Sequence, residues 1–149
     1  TGEGGIPFWS VLASDLNVLS FSAAGPADYA QITNAASLDL DFTTEDFSLA
    51  MWIDPDVPGN RYLYSRGLTL QDGWRFFYDT TEALVLGTTT GVTDYFTESV
   101  AAAVVVGEWM LAGCTRIGTD VRIYKNGRDV TAVYADHGDP DTSKGEFRP

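Results

Sequence analysis

The chain has 149 residues and a formal net charge of −12, set by 21 acidic and 9 basic side chains. That length suits about one domain with a core of its own, and four Trp, seven Tyr and eight Phe exclude a disordered chain. The acidic balance works against phosphate backbones and anionic bilayers, so no nucleic acid partner is expected. No apolar run reaches the roughly 18 residues of a membrane span.

Residues 17–21 and 28–32 read as short strands parted by Ala-Ala-Gly-Pro-Ala, in which Gly and Pro both interrupt. Residues 47–53 give the clearest alternation: Phe47, Leu49, Met51 and Ile53 fall on one face, Ser48, Ala50 and Trp52 on the other. The Pro- and Gly-rich run 54–60 must be a loop. Strands are predicted at 62–66, 74–79, 83–88 and 95–100, separated by Gln71-Asp72-Gly73, Thr80-Thr81-Glu82 and Thr90-Gly91-Val92-Thr93. An apolar strand over 109–115 ends in the turn Ile117-Gly118-Thr119-Asp120. Val121 and Ile123 then face one way, Arg122 and Tyr124 the other. Asn126-Gly127 closes the series with the strongest short-range hairpin signal, a two-residue loop in which both residues take φ > 0.

Turns recurring about every 8–12 residues, with no helical periodicity, predict an all-β, two-sheet antiparallel sandwich. The organisation expected is an N-terminal segment at 1–16, one domain at 17–133 and a polar segment at 134–149. Cys114 is the only cysteine, so no intrachain disulfide is expected. It falls within an apolar strand, where a small buried hydrophobe is the predicted role, and His137, the sole histidine, has no nucleophile assigned to it.

The order of these elements resembles the laminin-G-like, concanavalin-A-like jelly-roll domains. Val18-Leu19-Ser20-Phe21, Asp28-Tyr29-Ala30-Gln31-Ile32 and Ser37-Leu38-Asp39-Leu40 are similar to that family's opening strands. Phe47-Ser48-Leu49-Ala50-Met51-Trp52-Ile53-Asp54-Pro55 resembles its core strand, and residues 63–67 and 74–78 follow it more loosely. The stretch from Gly107 to Thr131 resembles its Gly-x-Trp strand, Gly turn and Tyr-x-Asn-Gly hairpin. The resemblance covers about residues 17–132 and implies a concanavalin-A-like jelly roll. One departure stands out, because the family closes with further strands and residues 134–149 are polar and Gly/Asp/Pro-rich. The expectation is an open sheet edge near 18–21, filled by a segment beyond Pro149 or by another chain.

The resemblance also sets the chemistry to look for. Glucanases of this fold carry paired acids at period two on one strand, as a retaining glycosidase needs. The nearest pairs here are Asp39/Asp41, Asp54/Asp56 and Asp139/Asp141, all in loops or at strand ends, so no catalytic residue is assigned. Calcium binding at a loop rim is the second feature the resemblance implies, with Asp28, Asp54, Asp56, Asp139 and Asp141 as candidate oxygen ligands. Asp in Pro- and Gly-rich loops also serves as an acceptor within turns, and that role is favoured over ligation. Carbohydrate is the third: Trp52 points away from the core face, with Tyr64 and Arg75 as candidate neighbours. Packing in a core or an interface is the competing role for Trp52, and more strongly so for Trp109.

Two readings follow. The first is a noncatalytic extracellular recognition module that binds glycan or a protein surface. The second is a structural protein of a virion, tail or surface appendage, working as a homo-oligomer or within a larger assembly. Both place the chain outside the cell or on a virion or cell surface.

Overall fold

A computed structural model describes residues 8–11, 17–21, 29–143 and 147–148. Its strands are β1 (Phe8–Val11), β2 (Asn17–Ser20), β3 (Phe47–Ile53), β4 (Arg61–Leu68), β5 (Asp72–Tyr78) and β6 (Leu84–Thr90). There follow β7 (Thr93–Ser99), β8 (Met110–Ile117), β9 (Asp120–Lys125), β10 (Arg128–Asp129), β11 (Thr131–Val133) and β12 (Phe147–Arg148). Two antiparallel sheets, ordered β10-β9-β8-β3 and β11-β7-β6-β5-β4-β12, form the predicted all-β sandwich.

Strand alternation builds the core between them. Phe47 and Ile53 of β3, Met110, Ala112 and Cys114 of β8, and Val121 and Ile123 of β9 point inward from the four-stranded sheet. They meet Leu63, Phe76, Tyr78, Leu84 and Leu86 of the larger sheet. Phe42 stacks on Phe47 at a ring separation of 4.6 Å, and Trp74 lies tilted against Phe47 at 5.7 Å. The burial of β3 alternates as its sequence predicts, with Ser48, Ala50 and Trp52 outside.

The hairpin after β9 is also as predicted. Lys125 pairs with Arg128, and the two residues between them, Asn126 and Gly127, have φ of 52° and 77°. A Cβ at position 127 would meet nothing within 4 Å, so any cost of a side chain there comes from the backbone alone. Gly127→Val is therefore expected to lower stability by about 1–2 kcal/mol, read as a shift in the urea midpoint at constant slope. An unchanged midpoint would mean that the left-handed turn is not held in solution.

Val130 carries the chain from one sheet to the other. Its N–H donates to the Ile123 carbonyl in the small sheet, and its own carbonyl accepts from Val100 beside the large one. The strand expected after the hairpin is consequently split into β10 and β11, on different sheets.

Three expectations are corrected. Residues 29–31 form no strand, and only Ile32 makes an isolated bridge, to Phe147. The run after it makes two 3₁₀ turns, Asn34–Ala36 and Leu38–Leu40, held by the buried Arg66 through Ser37 Oγ, Asn34 Oδ1 (2.7 Å) and Asp41 (3.5 Å). Strand β2 pairs with β1 and belongs to neither sheet of the sandwich, so it is not an edge of either of them. The third correction concerns the polar segment. Phe147–Arg148 pairs with Arg66 and Ser65 and ends the larger sheet. A single aromatic achieves this: Phe147 is buried, stacked on Tyr64 at 5.9 Å and tilted against Trp74 at 6.2 Å. A two-residue strand held by one ring leaves no alternation for a sequence pattern to register.

Candidate functional site

The outer face of the four-stranded sheet is a grid fixed by strand register. Ser48, Thr115 and Arg122 form one cross-strand row, Ala50, Gly113 and Tyr124 the next, and Trp52 with Leu111 the third. The middle row is small on two of its three strands, which opens a shallow trough of about 220 Å³ between the flanking rows. Gly113 forms its floor. A Cβ there would come within 2.9 Å of the Leu49 carbonyl, so glycine both permits the close approach of β3 and keeps the trough open.

Aromatic groups stand on this face in and beside the trough. Trp52 is 62% exposed, an unusual position for a residue that normally hides most of its surface. Tyr124 lines the far wall. Beyond it, the Arg122 guanidinium lies 5.0 Å from the centre of the Tyr134 ring and pairs with Asp120 at 3.2 Å. Hydrogen bonding to Asp120 and its charge raise the Arg122 pKa further, so this group stays cationic. The Asn126 side-chain carbonyl accepts from the Leu111 N–H at 2.8 Å, and the Asn126 backbone N–H donates to the Leu111 carbonyl, so the hairpin turn braces the trough wall.

The three residues singled out for ligand contact are not brought together. Trp52 is on this outer face. Tyr64 lies between the sheets, half-buried, with its hydroxyl 3.5 Å from the Ala50 carbonyl. Arg75 is 2% exposed and lies on the far side of the larger sheet. There it pairs with Asp94 at 2.5 Å, donates to Thr89 Oγ1 at 3.0 Å and lies 5.2 Å from the centre of the Phe96 ring. Alternation along β5 sends Trp74, Phe76 and Tyr78 inward and therefore Arg75 outward, across the whole thickness of the sandwich from Trp52. Of the two places expected for Trp109, a core or an interface, it is not in the core: the strand begins at Met110, and the tryptophan just before it is 43% exposed.

The acidic candidates divide between opposite ends of the molecule. Asp54 and Asp56 follow the end of β3 that pairs with Met110, and Asp139 lies beside Arg116, whose partner Phe47 is at the other end. Seven residues of strand separate the two ends by roughly 20 Å. The Asp139 carboxylate accepts from Arg116 Nη2 at 3.0 Å, and that of Asp141 from the Gly91 N–H at 2.7 Å, both as tethers of the C-terminal segment. Asp28 lies outside the described residues. Among the described residues no three acids, histidines or cysteines gather in a metal-holding group.

Cys114 is buried in the core, where desolvation pushes its thiol well above the usual range. His137 is fully buried, with Nδ1 2.8 Å from Thr88 Oγ1 and Nε2 2.9 Å from Thr97 Oγ1. Burial first, then the charge of Arg116, lowers its pKa to about 4. Both ring nitrogens are thus occupied by hydroxyls in a structural plug.

Of the residues on this face the sequence singles out Trp52, which lies beside the trough, and none that line it. Arg122 and Tyr124 were already on the face opposite Val121 and Ile123. Laying that face beside the Trp52 face of β3 needs only the knowledge that β8 lies between them. Gly113 and Tyr134 carried no comparable signal, since both acquire their roles from cross-strand register and from the return of the chain past β9.

A family model described as the Concanavalin A-like lectin/glucanases superfamily matches residues 24–148. Neither the curated proteins nor the solved structures give a match.

Proposed function

We propose that this chain, which belongs to the Concanavalin A-like lectin/glucanases superfamily, is a noncatalytic extracellular recognition module that binds glycan across the outer face of its four-stranded sheet. The observation that carries this reading is Trp52, exposed beside a trough floored by Gly113. The C–H face of a sugar ring packs on an indole ring, and Tyr124 and Arg122 stand across the trough to supply a hydroxyl and a cation for its hydroxyl groups. The noncatalytic part rests on the acid pairs at 39/41, 54/56 and 139/141, which fall on loops and 3₁₀ turns and not along one strand.

A glycan array probed with the purified protein tests the reading, followed by Trp52→Ala. At least tenfold weaker binding is expected from the variant with an unchanged far-ultraviolet circular dichroism spectrum, since losing a central aromatic anchor costs more than about 1.4 kcal/mol. Retained ligands should be recovered uncleaved. Equal binding by the variant, or turnover abolished by one acidic substitution, would refute it.

The alternative is a structural part of a virion, tail or surface appendage. It is supported by the exposure of Trp52, Trp109 and Tyr62, which neighbouring subunits would cover. A defined multimer by light scattering, with no glycan retained on the array, favours this reading over the first.

A further inference from the structure

We infer that the ligand of the outer face is an uncharged glycan of at least two linked sugar rings, one seated in the trough over Gly113 and another stacked on Trp52. This rests on the glycan reading and narrows it to a chemical class.

Two separate contacts set the number of rings. The trough is built across three paired strands, with Ala50 of β3, Gly113 of β8 and Tyr124 of β9 in one row through it. Trp52 is not among the residues that line it and stands one row along, paired with Leu111. Two strand spacings of about 4.8 Å and a two-residue rise of about 6.8 Å put the backbones of Tyr124 and Trp52 roughly 12 Å apart. A ring seated against Tyr124 therefore leaves the indole free, and a second ring joined to the first is needed to reach it.

The lining suits a ring that is apolar on its face and polar at its edge. Ala50, Leu111 and Gly113 bring no polar side-chain group, so the C–H face of a sugar can lie against them. Ser48, Thr115 and Tyr124 line the same trough, and among the described residues none of their hydroxyls has a hydrogen-bond partner. A hydroxyl both donates and accepts, which is what the hydroxyls of a sugar require. Small-ligand sites are commonly built this way, with a few converging polar groups on an apolar surface.

Charge then selects among glycans. None of the residues lining the trough is an acid, a lysine or an arginine. Arg122 lies beside Thr115, but its guanidinium is met by Asp120 at 3.2 Å and by Asp129 at 3.8 Å. Asp129 in turn accepts from the N–H and hydroxyl of Thr131. Lys125 and Arg128 flank the hairpin turn, yet they are in register with Ala112, a core residue, and so belong to the other face. A uronate or sulfate would find no unpaired cation here, and a protonated amino sugar would find both carboxylates engaged. Ionised sugars thus lose their water without gaining a counter-charge, a cost that uncharged ones escape.

The test uses the whole chain on an array of glycans of one to four rings, each printed in uncharged, uronate-bearing and amine-bearing forms of the same linkage. Uncharged forms of two or more rings should bind at least about tenfold more tightly than their single-ring units and than their charged counterparts. Trp52→Ala should abolish the gain from the second ring, leaving two-ring forms bound no better than one-ring forms. Asp120→Asn/Asp129→Asn keeps an acceptor for Thr131 and frees the Arg122 guanidinium, so it should raise binding of the uronate-bearing forms at least about tenfold. Equal binding of one-ring and two-ring forms by the native protein would overturn the proposal and leave glycan binding standing. So would charged forms bound as tightly as uncharged ones, or a gain from the second ring that survives Trp52→Ala. An array on which no glycan binds would remove the glycan reading and this inference together.

Discussion

Replacing Arg75 by Met is expected to destabilise the protein by about 3–5 kcal/mol, the typical loss when one partner of a buried ion pair is removed. Arg75 and Asp94 bond at 2.5 Å, with side chains 3% and 7% exposed. Burial by itself would raise the Asp94 carboxyl, but hydrogen bonds from Arg75, Thr89 and the Leu70 N–H outweigh it, and the net shift is downward. The carboxylate is thus charged in the native state and depends on the guanidinium beside it. Arg75→Met leaves that charge uncompensated beneath Phe96. The double variant Arg75→Met/Asp94→Leu removes both charges and should recover a large part of the loss, because a buried pair contributes less than either orphan costs. Urea denaturation of the two variants provides the measurement. A loss under about 1 kcal/mol in the single variant would place the pair in effect in solvent.

This use of Arg75 also marks where the sequence stopped being informative. Alternation told which residues of a strand share a face, and for β3 and β9 it was right residue by residue. It could not tell which face of β5 looks into the sandwich, since residues 73–78 are buried on both faces. A strand covered on both sides carries no polar stripe, so an arginine in it looks like a candidate ligand contact when it is a buried counter-ion. Arg66 and Arg116 were overlooked as well. Each is buried, and each holds a segment with little regular structure: the 3₁₀ turns at 34–40 through Asn34 and Asp41, and the return of the chain at 138–139 through the Gly138 carbonyl and Asp139. Turn chemistry was more legible. Asn126-Gly127 fixed a hairpin unaided, because the φ > 0 requirement is local.

His137 supplies the pH dependence. Its pKa falls from 6.5 to about 4 on folding, chiefly through burial and then through the charge of Arg116, with Asp136 opposing. The native ring is neutral near pH 7, each nitrogen facing a threonine hydroxyl. Between pH 6.5 and 4 the unfolded chain takes up a proton that the folded one refuses, so stability is full above this window and is lost as pH falls through it. At about 1.4 kcal/mol per pH unit near the steepest part, roughly 2 kcal/mol should be gone by pH 5. The lowered carboxyls of Asp94 and Asp129 act on the acid side of their ordinary value of 3.8, so their loss begins only below this range. His137→Gln keeps a donor and an acceptor for Thr88 and Thr97 but does not titrate, whatever stability it starts from. Urea midpoints at pH 7, 6 and 5 should therefore fall steeply for the native protein and stay nearly level for the variant. Parallel curves would assign the acid sensitivity elsewhere and release His137 from its role as the neutral plug that ties residues 135–138 to β6 and β7.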